Sequence, residues 1–213
     1  MKMSDIKYLI KFVSKKNYAE DLVAGKLFMR PASYYHILEQ RMGAGQGDLG
    51  EAGIVDGICI YKHSHVPIYC LYAVMKNDII ENEILISERC IDDFYCQDGY
   101  AVLIDYKKWE PMLSKINTEG YELDAGLVSY HKLSSEDTMA LLNDNTPRNL
   151  FIKRPFFSYQ KEYRIVICNQ VYKDNESPIN EKTYWFSEPL DESAKIISIP
   201  SLTQINGNYV IKL

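Results

Sequence analysis

The late segment from Ser158 to Cys168 constrains the fold most, because its side chains alternate with a period of two residues. As a strand, it puts on one face five residues that change from polar to apolar: Gln160, Glu162, Arg164, Val166 and Cys168. With Val166 and Cys168 in the core, Glu162 lies near the rim, where a partly desolvated carboxylate needs a partner. Arg164, two residues away on the same face, is the predicted partner. The pair either belongs to a functional site or is an ion pair that holds the sheet together.

The sequence pattern of the rest of the chain predicts a series of short strands and helices. Ile6 to Val13 predicts a strand, Asn17 to Gly25 a capped helix that ends at glycine, and Leu27 to Met29 a second strand. Further predicted strands are Ile54–Ile60, Ile68–Met75, Tyr100–Asp105, Gly126–His131, Thr183–Phe186, Lys195–Ile199 and Tyr209–Leu213, and further helices are Ser33–Met42, Trp109–Ile116 and Ser134–Leu142. This order predicts an α+β fold with a central mixed, largely antiparallel sheet and short inserted helices. With 213 residues, 46% of them hydrophobic, the chain is expected to form one domain over residues 1–213.

The charge and the cysteine content of the chain limit which partners it is expected to bind and in which cellular compartment it is expected to lie. The net charge is −5 and the lysines and arginines do not cluster, so binding to duplex nucleic acid is not expected. No apolar stretch approaches the roughly 20 residues that cross a membrane, so a membrane partner is not expected either. The five cysteines form no C-x-x-C pair, which favours free thiols in a reducing compartment. We therefore expect a cytoplasmic protein, and its oligomeric state stays open.

Residues Gly43 to Gly53 form a glycine-rich loop that carries two carboxylates, Asp48 and Glu51. Within it, Gly45 to Gly50 has the spacing G-x-G-x-x-G, but a predicted helix precedes it where a dinucleotide-binding fingerprint needs a strand. The two carboxylates could hold ribose hydroxyls, bind a cation or act as a base, or they could only keep the loop soluble. No P-loop motif occurs and the histidines fit no common zinc spacing, so no metal is expected.

The segment from Lys153 to Arg164 resembles part of a known family. It reads K-R-P-F-F-S-Y-Q-K-E-Y-R and resembles the signature K-S-x-x-W-x-Y-E-x-E-W-R of a family of uncharacterised bacterial domains, often found near phage-defence and mobile genes. The residues at matching places are Tyr159, Lys161, Glu162 and Arg164. The opening strand around Lys11, the helix that ends at Gly25 and the loop from Asp48 to Glu51 resemble further parts of that family.

The layout of the chain is also distantly similar to the core of ADP-ribosyltransferases. The likeness rests on the opening strand, helix, glycine and strand, combined with the late spacing Gln160-x-Glu162. It implies that Glu162 holds the ribose of NAD and stabilises the positive charge that develops as nicotinamide leaves. It also implies substrate-binding roles for five residues: Gln160, which orients the acceptor, Arg164, which fixes Glu162, Lys11, near the diphosphate, and Asp48 and Glu51, on a loop over the site.

These resemblances lead to one leading hypothesis and two rivals. The leading hypothesis is an ADP-ribosyltransferase-like protein that uses NAD as its substrate in phage–host conflict or as a toxin, with Glu162 as the catalytic residue. The first rival is a non-catalytic module of a defence or anti-defence system that binds a nucleotide signal or a protein target. The second is a nuclease that uses Asp48, Glu51 and Glu162 around a divalent metal, which the acidic net charge disfavours for long nucleic acids.

Overall fold

The computed structural model describes residues 2–35, 54–55, 58–59, 65–94, 96–132, 134–143, 146–168 and 182–213. Its named helices are α1 (Lys16–Val23), α2 (Glu88–Asp93), α3 (Tyr106–Met112) and α4 (Ser135–Asn143). Its strands are β1 (Ile6–Val13), β2 (Lys26–Pro31), β3 (Ile54–Val55), β4 (Ile58–Cys59), β5 (Pro67–Met75), β6 (Ile79–Ile80), β7 (Glu83–Ser87), β8 (Tyr100–Asp105), β9 (Glu122–Leu127), β10 (Ser129–Tyr130), β11 (Ile152–Lys153), β12 (Glu162–Cys168), β13 (Lys182–Trp185), β14 (Ala194–Ser198), β15 (Thr203–Ile205) and β16 (Asn208–Lys212).

The largest sheet in the described part of the chain has eight strands. Six follow the order β13-β2-β5-β1-β8-β14, and β12 and β9 branch from β5. The pairings that define this sheet are antiparallel, whereas the separate two-residue pair of β10 and β11 is parallel. The predicted α+β fold with a largely antiparallel sheet and short helices is therefore confirmed.

Different elements bury the two faces of this sheet. On the first face, α1 and α3 cover a core that includes Leu22, Trp109 and Tyr163. On the second face, α2 and a smaller sheet in the order β15-β16-β7-β6 cover a separate core that includes Ile10 of β1. A third small cluster contains Val166 of β12. Both faces of the sheet are thus buried over much of their area, and polar side chains at these positions need partners within the protein.

The sheet forks at β5, because β1 and β2 share one edge of that strand. Ile68 pairs with Arg30 of β2 on this edge and with β12 on the opposite edge. Tyr72 pairs with Ile10 of β1 and also with β12, again on opposite edges. Between the two pairings, residues 69–71 of β5 lie opposite a gap between β1 and β2. The fork opens a space in the sheet next to the end of β1.

The predicted strand from Ser158 to Cys168 is wrong in its first part. Pro155–Gln160 is a 3₁₀-helix, Lys161 is left-handed with φ of 40°, and β12 begins only at Glu162. Proline suits the first turn of a helix because it has no N–H to leave unpaired, and a left-handed residue ends that turn. Gln160 is therefore not on the strand. From Glu162 onwards the alternation is confirmed, with Tyr163 and Val166 in cores on opposite faces.

Other local predictions have mixed outcomes. Gly25 follows α1 with φ of 92°, as predicted, and Ser134 and Asp137 make the reciprocal cap of α4, with Ser134 Oγ accepting the Asp137 N–H at 3.1 Å. The predicted helix Trp109–Ile116 begins earlier, because the Asp105 carboxylate accepts the Lys107 N–H and caps α3.

The predicted strand Ile54–Ile60 is interrupted, since β3 and β4 pair with each other. Of the predicted helix Ser33–Met42, residues 33–35 are helical and the rest lies outside the described residues.

Candidate functional site

A buried cluster of polar side chains surrounds the carboxylate of Glu162. Oε1 of Glu162 lies 2.6 Å from Lys153 Nζ, and Oε2 lies 2.8 Å from Arg164 Nε. Lys153 Nζ also donates to Gln160 Oε1 at 2.8 Å. The exposed fraction of the four residues ranges from 0% to 4%. The predicted same-face pair of Glu162 and Arg164 is thus confirmed, and Lys153 joins it from a strand outside the main sheet.

Three neighbouring segments hold this cluster in place. Lys153 is the last residue of β11, Gln160 ends the 3₁₀-helix that follows, and Glu162 and Arg164 are on β12. Arg164 also donates to the carbonyl oxygen of Leu150. The backbone N–H of Glu162 donates to the Tyr130 hydroxyl at 2.8 Å. The short return of the chain from β11 to β12 therefore places Lys153, with the Gln160 amide bonded to it, beside the pair of Glu162 and Arg164 on β12.

The electrostatics of the cluster favour an ionised Glu162. Burial by itself would raise the pKa of Glu162, but the charges of Arg164 and Lys153 and their hydrogen bonds outweigh it and hold the pKa below its ordinary value. Both carboxylate oxygens already accept hydrogen bonds from cations. In this arrangement the carboxylate is an ion-pair partner that balances two buried charges, as expected of a group that must not be left unpaired in a core.

A pocket of about 550 Å³ lies elsewhere, in the fork between β1 and β2. Its walls come from the end of β1, one side of β2, α1, Tyr69 of β5, and the segment that follows α2. The lining residues are Lys11, Phe12, Val13, Ser14, Tyr18, Asp21, Lys26, Phe28, Arg30, Tyr35, Tyr69, Phe94 and Cys96. Its volume is within the range of small-molecule sites, about 300–1,000 Å³.

Lys11 reaches into the fork from β1. Its Nζ donates to the carbonyl oxygen of Cys70 at 2.8 Å and lies 4.3 Å from the centre of the Tyr69 ring. Burial lowers the pKa of Lys11, although the negative charges that Cys70, Cys96 and Glu162 carry when ionised act to raise it. A half-buried ammonium in this position interacts strongly with an anion, because few waters screen it.

Cations and aromatic rings dominate the pocket. Lys11, Lys26 and Arg30 carry three positive charges, and Asp21 carries one negative charge, so the lining has two net positive charges in a chain whose net charge is −5. Lys26 Nζ pairs with Asp21 at 2.9 Å, and both side chains are partly exposed. The guanidinium of Arg30 lies 4.1 Å from the centre of the Tyr34 ring. The lining thus combines charge for an anion with flat rings for stacking.

The structure divides the sequence-predicted site residues between these two places. Gln160, Glu162 and Arg164 meet in the buried cluster, whereas Lys11 lines the pocket. The strand register links the two places, because Glu162 and Ile10 pair with the same residue of β5 from opposite edges. Asp48 and Glu51 lie outside the described residues. The catalytic role of Glu162 stays a prediction.

Sequence reasoning missed the other residues of both places. Lys153 is the first residue of the segment that resembles the family signature, so a signal for it was present. Lys26, Phe28 and Arg30 alternate along β2 and share one side, a pattern that a longer predicted second strand would have included. Only the fork in the sheet brings that side of β2 to the end of β1.

The described residues contain no group of three histidine, cysteine, aspartate or glutamate side chains that could hold a metal ion. Within the same residues, no helix has the length and apolar content needed to cross a membrane. No disulfide joins any two of the four cysteines whose side chains are described: Cys70, Cys90, Cys96 and Cys168.

Comparison with known proteins gave no match: no family model, no curated protein and no solved structure matches this chain significantly. The two resemblances described from sequence therefore stay predictions.

Proposed function

We propose that this domain binds a nucleotide in the pocket between β1 and β2. The observation that carries the proposal is the convergence of Lys11, Lys26 and Arg30 with aromatic side chains on one pocket of about 550 Å³. A nucleotide needs positive charge for its phosphates and flat surfaces for its base. The pocket offers both within a volume suited to a small molecule.

The arrangement of charges assigns different parts of the ligand to different walls. Lys11 is half-buried against Tyr69 and is placed to donate a hydrogen bond to a phosphate oxygen. A charge-assisted hydrogen bond is shorter and stronger than a neutral one, and burial strengthens it further. Tyr18 and Phe28 are 47% and 43% exposed, which leaves their rings accessible to a base near the mouth of the pocket. The proposal matches the first rival hypothesis, a nucleotide-binding module of a defence or anti-defence system.

A titration with nucleotides tests this proposal. Calorimetry with ADP, ATP, GTP and cyclic AMP should give saturable binding for at least one of them, and Lys11→Met should weaken that binding about 10-fold or more, since a hydrogen bond to a charged group contributes about 1.5–3 kcal/mol. Lys115→Gln is the matched control, because Lys115 is an exposed lysine paired with Glu188, outside the pocket lining. No binding by any of these nucleotides, or equal binding by wild type and Lys11→Met, would reject the proposal.

A second candidate is NAD-dependent ADP-ribosyl transfer, favoured by the position of β1. The pocket is lined by Lys11 to Ser14, the strand to which the likeness assigns the NAD site. Glu162 does not line the pocket, so in this mechanism its side chain would have to turn towards the ribose and give up its contact with Lys153, because two ion pairs now occupy its two carboxylate oxygens. The released nicotinamide would leave a ribosyl cation, whose charge the carboxylate stabilises until an acceptor attacks.

Nicotinamide release from NAD, measured with and without bacterial lysate as the source of an acceptor, tests the second candidate. Glu162→Gln should abolish release, whereas Lys153→Met disturbs the same cluster but keeps the carboxylate. Loss of activity in Glu162→Gln with retention in Lys153→Met supports catalysis by Glu162. Equal losses in both variants indicate a structural role, and absence of turnover by the wild type rejects the candidate.

A further inference from the structure

The paired strands β2 and β13 have one buried side and one exposed side. In the antiparallel register Tyr184 is opposite Leu27, and both side chains are in the core. The residues next to these two on each strand point to the other side, where Trp185 is opposite Lys26. Side chains directly opposite each other on neighbouring strands point to the same face, with Cβ atoms about 5 Å apart. Trp185 therefore lies beside a residue that lines the pocket.

Two aromatic side chains on this face are unusually exposed. The exposed fraction is 51% for Trp185 and 43% for Phe28. They are diagonal neighbours across the two strands, since Phe28 is opposite Thr183 and Trp185 is two residues further. Phe28 also lines the pocket and Trp185 is on the same face of the two strands, so together they give this face an exposed aromatic surface next to the pocket. We call this surface, Phe28 and Trp185, the platform.

We propose that Trp185, at the outer end of the platform, binds the second base of a dinucleotide whose phosphates lie in the pocket and whose first base lies near Tyr18 and Phe28. This inference rests on the proposed nucleotide site and specifies its ligand as two nucleosides joined by a short phosphate bridge. The three cations of the pocket bind the phosphate bridge, and one of them, Lys26, is opposite Trp185 in the register. Stacking on an aromatic side chain is favourable for any base, so the platform adds affinity without selecting one base.

Charge favours a dinucleotide over a nucleic acid strand. A strand needs a line of basic residues along its backbone, and on the exposed side of β2 and β13 the cations are Lys26 and Arg30, both already at the pocket. Lys182 of β13 is on the other side of this strand pair, where its Nζ lies 3.4 Å from Glu119 Oε2. Within the described residues of β2 and β13, the face beyond the pocket thus offers the Trp185 ring without further positive charge, which suits a terminal base.

Tryptophan fluorescence gives a direct measurement of stacking on the platform. The chain has two tryptophans, and Trp109 is fully buried, so the solvent-accessible emission comes from Trp185. Diadenosine diphosphate should quench this emission and protect it from acrylamide, and it should bind about 10-fold or more tightly than ADP. ADP should bind with little quenching, because its one base stays in the pocket.

Variants of the platform separate this inference from the proposed function. Trp185→Ala should lower the affinity for diadenosine diphosphate about 10-fold while ADP affinity, measured by calorimetry, changes less than about 2-fold. Trp185→Phe should restore most of the loss. Phe156→Ala is the matched control, because Phe156 is an exposed aromatic residue (60%) that does not line the pocket.

Two results would overturn the inference alone: ADP binding that depends on Lys11 with no advantage for diadenosine diphosphate, or tighter binding of a 12-nucleotide oligoadenylate than of either compound. Failure of all three ligands to bind, together with failure of ATP, GTP and cyclic AMP, would reject the nucleotide site itself and the platform with it.

Discussion

Lys153 Nζ lies 2.6 Å from Glu162 Oε1, and each of these side chains is only 4% exposed. Arg164 approaches the other carboxylate oxygen at 2.8 Å and is fully buried. The attraction within such a buried pair barely exceeds the cost of desolvating its members, so its presence adds little net stability. Removing one member is different, because each remaining buried charge then loses an ion pair whose attraction had offset part of its desolvation cost.

Replacing the carboxylate should therefore destabilise the fold strongly. Glu162→Gln keeps the shape of the side chain but removes the negative charge that pairs with Lys153 and Arg164, and we expect the free energy of unfolding to fall by about 3–5 kcal/mol. Urea denaturation followed by circular dichroism measures it. The control is Glu188→Gln, which breaks the exposed pair with Lys115 and should cost less than about 1 kcal/mol. A loss below about 1 kcal/mol in Glu162→Gln would contradict a structural role for the carboxylate.

The same carboxylate should make stability depend on pH in acid. The pKa of Glu162 in the folded chain lies below its ordinary value of 4.5, so as the pH falls the unfolded chain takes up the proton first. The stabilisation by the ionised group is complete above about pH 4.5 and is lost as the pH falls through the lowered pKa. The difference in the free energy of unfolding between wild type and Glu162→Gln should thus shrink between about pH 5 and pH 3. A difference that stays constant over this range would show that Glu162 does not titrate as inferred.

A methyl group at Gly99 should disturb both stability and ligand binding. A Cβ atom there would lie 2.3 Å from the carbonyl oxygen of Val13 and 3.2 Å from Ser14 Cα, and both residues line the pocket. Because these contacts are with backbone atoms, the end of β1 has to shift. We expect Gly99→Ala to lower the free energy of unfolding by about 1–3 kcal/mol and to weaken nucleotide binding several-fold.

Gly126→Ala is the control for this variant, since its nearest contacts are ordinary ones with Phe151 at 3.8 and 3.9 Å. It should change the free energy of unfolding by less than about 1 kcal/mol. Equal effects of the two substitutions in denaturation and calorimetry would mean that the close approach at Gly99 does not shape the pocket.

Burial of the Lys11 ammonium should lower the free energy of unfolding of the ligand-free protein, and this effect should decrease at alkaline pH. Burial lowers its pKa below the ordinary 10.5, so between the lowered pKa and pH 10.5 the unfolded chain holds more protons than the folded one. The contribution of Lys11 to the free energy of unfolding therefore rises with pH across that window. Relative to Lys11→Met, the wild type should gain free energy of unfolding from pH 7 towards pH 10.5, as measured by urea denaturation. A wild-type curve parallel to that of Lys11→Met would contradict the lowered pKa.

Local patterns were sufficient for the parts of the fold that depend on neighbours in sequence. The alternation from Glu162 to Cys168 predicted which side chains share a face, and Arg164 was identified as the partner of Glu162 because the two are only two residues apart. The predicted start of the same strand at Ser158 was wrong, because a run of aromatic and polar residues after Pro155 fits a strand pattern and a 3₁₀-helix equally well. Periodicity over so few residues does not distinguish the two.

The sequence by itself determined the fold class, the faces of the longer strands and the carboxylate–guanidinium pair, because each follows from spacings of a few residues. The tertiary structure decided everything that depends on distant segments meeting. Lys153 reaches Glu162 only because β11 and the 3₁₀-helix fold back onto β12, and Lys11 shares a pocket with Arg30 only because β5 pairs with both β1 and β2 along one edge. Pairing between strands far apart in the chain is set by the packing of the whole core, and no local pattern encodes it.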